Sequence, residues 1–318
     1  MENQPNAKRI SPPLGSFSLD KNLCADVLGG VHREAVRGEA GKLSCRAHCC
    51  IERERSNKDK RFQAQGAEHI MQVKIFSDKA SMGRAVAERG AQLIKHAIAA
   101  DGHANIILAT GASQFEILDA LVGMTDIDWS KVTAFHLDEY VGLPKSHGAS
   151  FRKYLHERFV SKVSGLKEFV EVVGDAPDLD AELKRLNDKI KGLTIAVCFA
   201  GIGENAHLAF NDPPADFETR NPYLVVELDE ACRKQQLGEG WFPSFDAVPK
   251  QAISMSIRQM MAAQHLLITV PDLRKAEAVQ KAIEGPLTPS CPASVLRVHP
   301  SCLIALDEPA ASLLQFRP

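Results

Sequence analysis

Three short stretches carry residues whose types and spacing suit acid–base chemistry or anion binding. The richest is Cys198-Phe199-Ala200-Gly201-Ile202-Gly203-Glu204-Asn205-Ala206-His207-Leu208-Ala209-Phe210-Asn211-Asp212-Pro213. An apolar run from Leu193 to Ala200 leads into it, long enough for one buried strand. Gly201 and Gly203 then break the strand and allow close backbone approach, which makes Gly201 a candidate contact to a bound molecule. His207 follows, with Glu204 and Asn205 before it and Asp212 five residues after it. Open α/β sheets present sites in this way, with an acid–base group just beyond a glycine turn at a strand's carboxyl end. Alone, the stretch reads equally well as a tight turn with a solvated histidine.

The second stretch is Asp138-Glu139-Tyr140-Val141-Gly142-Leu143. Adjacent carboxylates at a strand end point to opposite sides if the strand continues, so one can face a cleft while the other pairs with structure. A charged loop is the plainer alternative. The third is Thr110-Gly111-Ala112-Ser113. A strand, a glycine turn and a capped helix start place free N–H groups and the positive helix end together, which is a seat for phosphate. A purely structural cap is the alternative here. No Walker motif is present, since G-K-[ST] is absent.

The elements that must position these residues alternate β and α from Met71 onward. Strands are expected at Gln72 to Phe76, Ile106 to Ala109, Val132 to Leu137, Leu193 to Ala200, Ala252 to Ile257, Leu266 to Val270 and Cys302 to Leu306. Helices are expected at Ser77 to Ala100, Gln114 to Val122, Ser150 to Val163, Ala181 to Lys191 and Asp272 to Ile283. Ser113 and Glu116 fit a capping box for the second of these. The pattern predicts an α/β fold with a doubly wound, mostly parallel, Rossmann-like sheet and helices on both faces. No Gly/Ser linker divides 71–318, which is expected to be one domain.

Residues 1–70 differ. They carry 12 Lys+Arg and 9 Asp+Glu, net +3, which leaves −5 of the total −2 for the remainder. Apolar periodicity is poor, and Ile51 to Arg61 is almost all charge, so the segment cannot bury enough apolar surface to offset its chain entropy. It reads as a disordered or non-native N-terminal extension. Cys45, His48, Cys49 and Cys50 lie in it, but C-x-x-H-C-C is not a zinc spacing, and no metal is expected.

The whole chain of 318 residues is 45% hydrophobic and 25% charged, an ordinary globular composition. A net charge of −2 gives no basic field for nucleic acid or a membrane surface. No apolar run approaches the roughly 20 residues of a membrane span, and no signal-peptide core is evident. Eight cysteines are too sparse for a disulfide scaffold and point to reduced thiols in the cytoplasm.

Four motifs together carry a resemblance. The set A-T-G-A-S, F-H-L-D-E-Y-V-G-L-P-K-S-H, G-I-G-E-N-A-H-L-A-F-N-D-P and V-P-D-L-R-K-A-E-A-V resembles the glucosamine-6-phosphate deaminase/isomerase family, whose fold is shared with 6-phosphogluconolactonases. The resemblance covers about Met71 to Leu314. Lactonase relatives usually read D-E-R and G-x-D-G-H-T-A-S at the corresponding places, so the chain sits on the deaminase side. The resemblance implies an enzyme of deaminase/isomerase type, classed as a hydrolase, that turns an aminosugar phosphate into a ketose phosphate and ammonia without a cofactor. Asp138 would take the C2 proton, and His207 would shuttle the proton that opens the ring. Thr110, Gly111, Ala112 and Ser113 would cradle the phosphate with Lys275, and Arg233 stands as a second phosphate ligand. The partner would be a small-molecule sugar phosphate, with no nucleic acid and no membrane, and with a homo-oligomer left open.

The chain departs from the best-known members at the histidine turn. They have Asp-Gly-His where it has Asn205-Ala206-His207, and Glu where it has Asp212. Asn205 and Asp212 are thus the candidates to orient the histidine, although Asn205 cannot neutralise an imidazolium and its amide can hold the wrong tautomer. Two other readings compete. One is lactone hydrolysis by a His207-activated water, with no C2 base. The other is a non-catalytic sugar-phosphate-binding domain, against which the absence of a helix-turn-helix counts.

Overall fold

The computed structural model describes residues 71–315. The expected extension over 1–70, with its cysteine–histidine cluster, lies outside the described residues. In chain order the elements are β1 (Gln72–Phe76), α1 (Lys79–Asp101), β2 (Ala104–Leu108), α2 (Phe115–Val122), β3 (Val132–His136), β4 (Asp138–Tyr140), α3 (Phe151–Leu155) and β5 (Glu168–Val170). There follow α4 (Leu179–Ile190), β6 (Val197–Ala200), β7 (Tyr223–Glu227), α5 (Glu230–Gly238), β8 (Gln251–Met255), α6 (Ile257–Met261), β9 (His265–Val270), α7 (Ala276–Glu284) and β10 (Cys302–Asp307). No helix among the described residues is long and apolar enough to cross a membrane.

Seven strands form one sheet in the order β1-β10-β9-β6-β2-β3-β5, and every neighbouring pair is parallel. Parallel strands covered on both faces must be apolar on both, which is why β2, β3 and β6 read as unbroken buried runs. Successive side chains alternate between two cores. Ile106, Leu108, Val197 and Phe199 face α1, α2 and the turn through Phe159. Ile107, Phe135, Cys198 and Ile268 face α4, α6 and α7. Each fully buried aromatic such as Phe135 or Phe199 contributes about 1.5–3 kcal/mol.

The strand order contains one reversal. From β2 the chain steps outward to β3 and β5, then returns to β6 on the other side of β2 and steps outward the opposite way to β9 and β10. Connections leaving β2 and β6 therefore diverge, and a crevice opens at their carboxyl ends. The turns that begin at Thr110 and Gly201 stand there.

The strand expected over Ala252 to Ile257 belongs elsewhere. Its ordered part, β8, pairs antiparallel with β4 and β7 in a second, three-stranded sheet, and Ile257 already starts α6, capped by the Ser256 hydroxyl accepting from Gln259 N–H. The sequence expectations leave out β5, β7 and α5; β5 is three residues long and α5 is largely polar, whereas β7 carries a short apolar run, Tyr223 to Val226, that marks a strand. The helix expected over Ser150 to Val163 is divided into α3 and a wider π-helical turn, His156–Val160. The capping box at Ser113 and Glu116 does not form. Gly111 heads a short 3-10 turn, and no side chain caps it or α2.

Candidate active site

Four loops and strand ends enclose a cleft of about 720 Å³, part of it open to solvent. Thr110, Gly111, Ala112 and Ser113 line it after β2, Asp138 after β3, Gly201 and His207 after β6, and Lys275 after β9. All the sequence-expected contacts except Asn205, Asp212 and Arg233 border this space.

Asp138 owes its position to a change of sheets. Leu137 N–H still donates to Leu108 carbonyl of the large sheet, while its carbonyl accepts from Met255 N–H of the small one. Asp138 therefore starts β4 directly over the crevice. Burial pushes its carboxyl up to about 8, and the neighbouring charge of Glu139 adds to the rise. Glu139 points the other way, as the strand alternation requires. Its oxygens accept from the Ser150 hydroxyl at 2.8 Å, Arg152 N–H at 2.8 Å, Phe151 N–H at 3.2 Å and Tyr140 N–H at 2.9 Å. Burial raises its pKa too, against the pull of these donors. It holds the start of α3, and the cleft is left to Asp138.

The imidazole of His207 lies across Gly203, where any Cβ would come within 2.4 Å of the ring. Glycine is required there by close approach. His207 Nδ1 is 3.0 Å from Asp212 Oδ1, at hydrogen-bond distance but poorly aligned. Asn205 does not touch the ring. Its amide nitrogen donates to Asp212 Oδ1 at 3.0 Å and to Asp229 Oδ2 at 3.1 Å, and its carbonyl oxygen accepts from His207 N–H. The residue thus orients the carboxylate that faces the imidazole. Burial alone would raise Asp212, but His207, Asn205 and the Asp229 N–H outweigh it and hold the carboxyl below its ordinary range. Cys232 also reaches this carboxylate. The side-chain ligand atoms of His207, Asp212 and Cys232 all lie within 4.8 Å of one another, a grouping that could close on a cation. Burial drives the Cys232 thiol strongly up, so it stands protonated beside Asp212.

The phosphate turn is braced from outside the cleft. Gly111 has φ +91°, open to glycine alone without strain, and its carbonyl accepts from the Tyr154 hydroxyl at 3.0 Å. Buried Gln114 donates to Ser113 Oγ, Ala200 carbonyl and Thr269 Oγ1, tying the ends of β2, β6 and β9 together. Lys275 is 7% exposed, and its ammonium has no ion-pair or hydrogen-bond partner among the described residues. Burial lowers its pKa, partly offset by Glu239 and Glu204 acting through space. A largely buried lysine whose unpaired ammonium borders a cleft suits an anionic ligand.

Arg233 does not belong to the cleft. Its guanidinium stacks 4.1 Å over the Phe245 ring and donates to the Phe245 and Val248 carbonyls, so it fastens the loop after α5. The side of α5 that does border the cleft carries Gln235 and Gln236, with Glu239 just beyond its end. Gln236 accepts from the Tyr140 hydroxyl at 2.7 Å. Sequence reasoning misses these residues and Arg274. The one signal it could use is the pair Gln235-Gln236 on a short polar helix, and a polar helix usually faces solvent.

A buried carboxylate, a histidine–aspartate pair and an anion seat thus meet at the switch point of an open α/β sheet, the layout of a small-molecule enzyme site. By sequence the chain belongs to the family of glucosamine-6-phosphate isomerases/6-phosphogluconolactonase, which it matches over residues 77–304. It is 35% identical over 244 residues to a glucosamine-6-phosphate deaminase of Oenococcus oeni, taking in 77% of this chain and 99% of the relative. It is 36% identical over 232 residues to glucosamine-6-phosphate deaminase 2 of Bacillus subtilis, taking in 71% and 92% of the two chains. The solved structure of a monomeric glucosamine-6-phosphate deaminase matches with a TM-score of 0.70 at 30% identity, over 77% of this chain and 100% of that one. A 6-phosphogluconolactonase-like structure from Neisseria gonorrhoeae matches with a TM-score of 0.61 at 17% identity, over 75% and 100%, and shares the fold alone.

Proposed function

We propose that the protein deaminates a hexosamine 6-phosphate, converting glucosamine 6-phosphate and water to fructose 6-phosphate and ammonia. One observation carries the reading: the buried carboxyl of Asp138 borders the same cleft as His207 and the unpaired Lys275. The deaminases at 33–36% identity support it. Nothing in those relatives' names supports the hydrolase label, and the lactonase reading rests on neighbours that share only the fold.

Thr110 to Ser113 and Lys275 hold the phosphate. His207, oriented by Asp212 with Asn205 behind it, moves the proton that opens the pyranose ring. Asp138 takes the C2 proton of the opened sugar to give an enolamine, a proton returned to C1 leaves an imine at C2, and water adds to that carbon and releases the nitrogen as ammonia, leaving the C2 carbonyl. A pKa near 8 makes Asp138 a strong base for a weakly acidic C–H, at the expense of its ionised fraction at neutral pH. The rate constant kcat/KM is therefore expected to rise with pH from about 6 to 8.

Asp138→Asn is expected to lower kcat by roughly 10²–10⁴ and to abolish C2 proton exchange with solvent while the fold is kept. Normal turnover by Asp138→Asn together with a dead His207→Ala would sink this reading in favour of a histidine-activated water.

A further inference from the structure

We propose that Arg274 is a second cation for the substrate phosphate, held by Glu204 until the phosphate draws it away. The inference rests on the phosphorylated-substrate reading above and extends it to residues outside the expected set.

Arg274 borders the cleft beside Lys275, whereas Arg233 does not. Its ion pair is a single, long contact, Nη1 to Glu204 Oε1 at 3.5 Å, between side chains 41% and 35% exposed. A pair of that length and exposure is worth about 0–1 kcal/mol. A bidentate guanidinium–phosphate pair is shorter and stronger, so the phosphate wins the exchange. Glu204 sits between the end of β6 at Ala200 and the catalytic candidate His207, so the pair bridges the loops after β6 and β9.

The turn that carries Arg274 is built. Asp272 has φ +82°, a strained conformation for a residue with a side chain. It is held there because its N–H donates to both oxygens of Asp307, at 3.1 and 3.0 Å, and its own carboxylate pairs with Lys79 at 2.6 Å. Asp307 is itself 3% exposed. From this turn Arg274 and Lys275 both border the cleft, as does Asp272 itself.

The test compares Arg274→Gln, Arg274→Lys and Glu204→Gln with the full-length protein. Two probes are used: glucosamine 6-phosphate turnover, and inorganic phosphate binding by calorimetry. Arg274→Gln is expected to weaken phosphate binding about 10-fold or more and to lower kcat/KM chiefly through KM. Arg274→Lys should recover part of the loss. Glu204→Gln should bind phosphate as tightly as the parent or tighter, since it frees the arginine. In the double variant with Arg274→Gln, the gain from Glu204→Gln should shrink to what its through-space action on Lys275 leaves, because its contact with Arg274 is gone. If Arg274→Gln binds inorganic phosphate within twofold of the parent, the proposal is overturned while the deaminase reading stands. If the parent binds phosphate through Arg274 yet turns over no aminosugar phosphate, the deaminase reading falls and the arginine assignment survives.

Discussion

At the scale of single residues, Asp138 concentrates the conflict between stability and chemistry. Its folded pKa is raised from 3.8 to about 8, so the folded state holds a proton that the unfolded chain has released. Stability from this group is fully present below about pH 4 and is lost as pH rises toward 8. Asn mimics the protonated carboxyl at every pH. Asp138→Asn is therefore expected to match the parent near pH 4 and to exceed its stability at pH 8 by more than about 1.4 kcal/mol, the worth of one pKa unit. Urea titrations at the two pH values measure this, and equal stabilities at pH 8 would mean that the buried charge carries no penalty. Ala206 belongs to the same scale. It has φ +68°, so the histidine turn holds its shape at some local strain.

At the scale of elements, function depends on turns that are tied to the sheet rather than on the strands. The turn after β9 hangs on Asp307 at the end of β10, whose carboxylate accepts from Asp272 N–H and from Ala310 N–H at 2.9 Å. Asp307→Ala would leave buried donors unpaired. It is expected to cost about 1–3 kcal/mol and to raise KM for the phosphorylated substrate, because Arg274 and Lys275 lose their platform. Asp307→Asn, which keeps one acceptor, should lose less of both. Thermal melts and steady-state kinetics on the two variants separate these outcomes. A KM unchanged in Asp307→Ala would show that the turn holds its shape without the carboxylate.

At the scale of the whole molecule, the parallel sheet supplies the crevice and the small antiparallel sheet supplies its wall. β4 delivers Asp138 and the Tyr140 that braces Gln236, and β8 beside it and β7 beyond pack with α5 around Phe210 and Phe242. The relatives align over nearly their full length with about three quarters of this chain. A protein beginning at Met71 is accordingly expected to keep the parent's Tm and kcat/KM. A fall of several degrees would place part of the folded core before Met71.

The sequence by itself determined what depends on near neighbours along the chain. Largely apolar runs marked β2, β3, β6, β9 and β10, because a strand buried on both faces has little polar side to show, while β1, at the sheet edge, showed an alternating pattern. Strand alternation separated the roles of Asp138 and Glu139, and glycine placement marked the turns at Thr110 and Gly201. Only the tertiary structure decided what depends on approach from distant parts of the chain. Arg233 and Arg274 are both cations near short helices, and nothing local distinguishes them; one is taken by the carbonyls of Phe245 and Val248, and the other borders the cleft. Ser113 and Glu116 satisfy a capping pattern, yet Ser113 is drawn to Gln114 and the cleft. Asn205 faces a carboxylate rather than the imidazole because Asp229, 24 residues on, folds back beside it. Side-chain direction at such positions is set by whichever distant donor or acceptor arrives, and a linear pattern contains no record of that arrival.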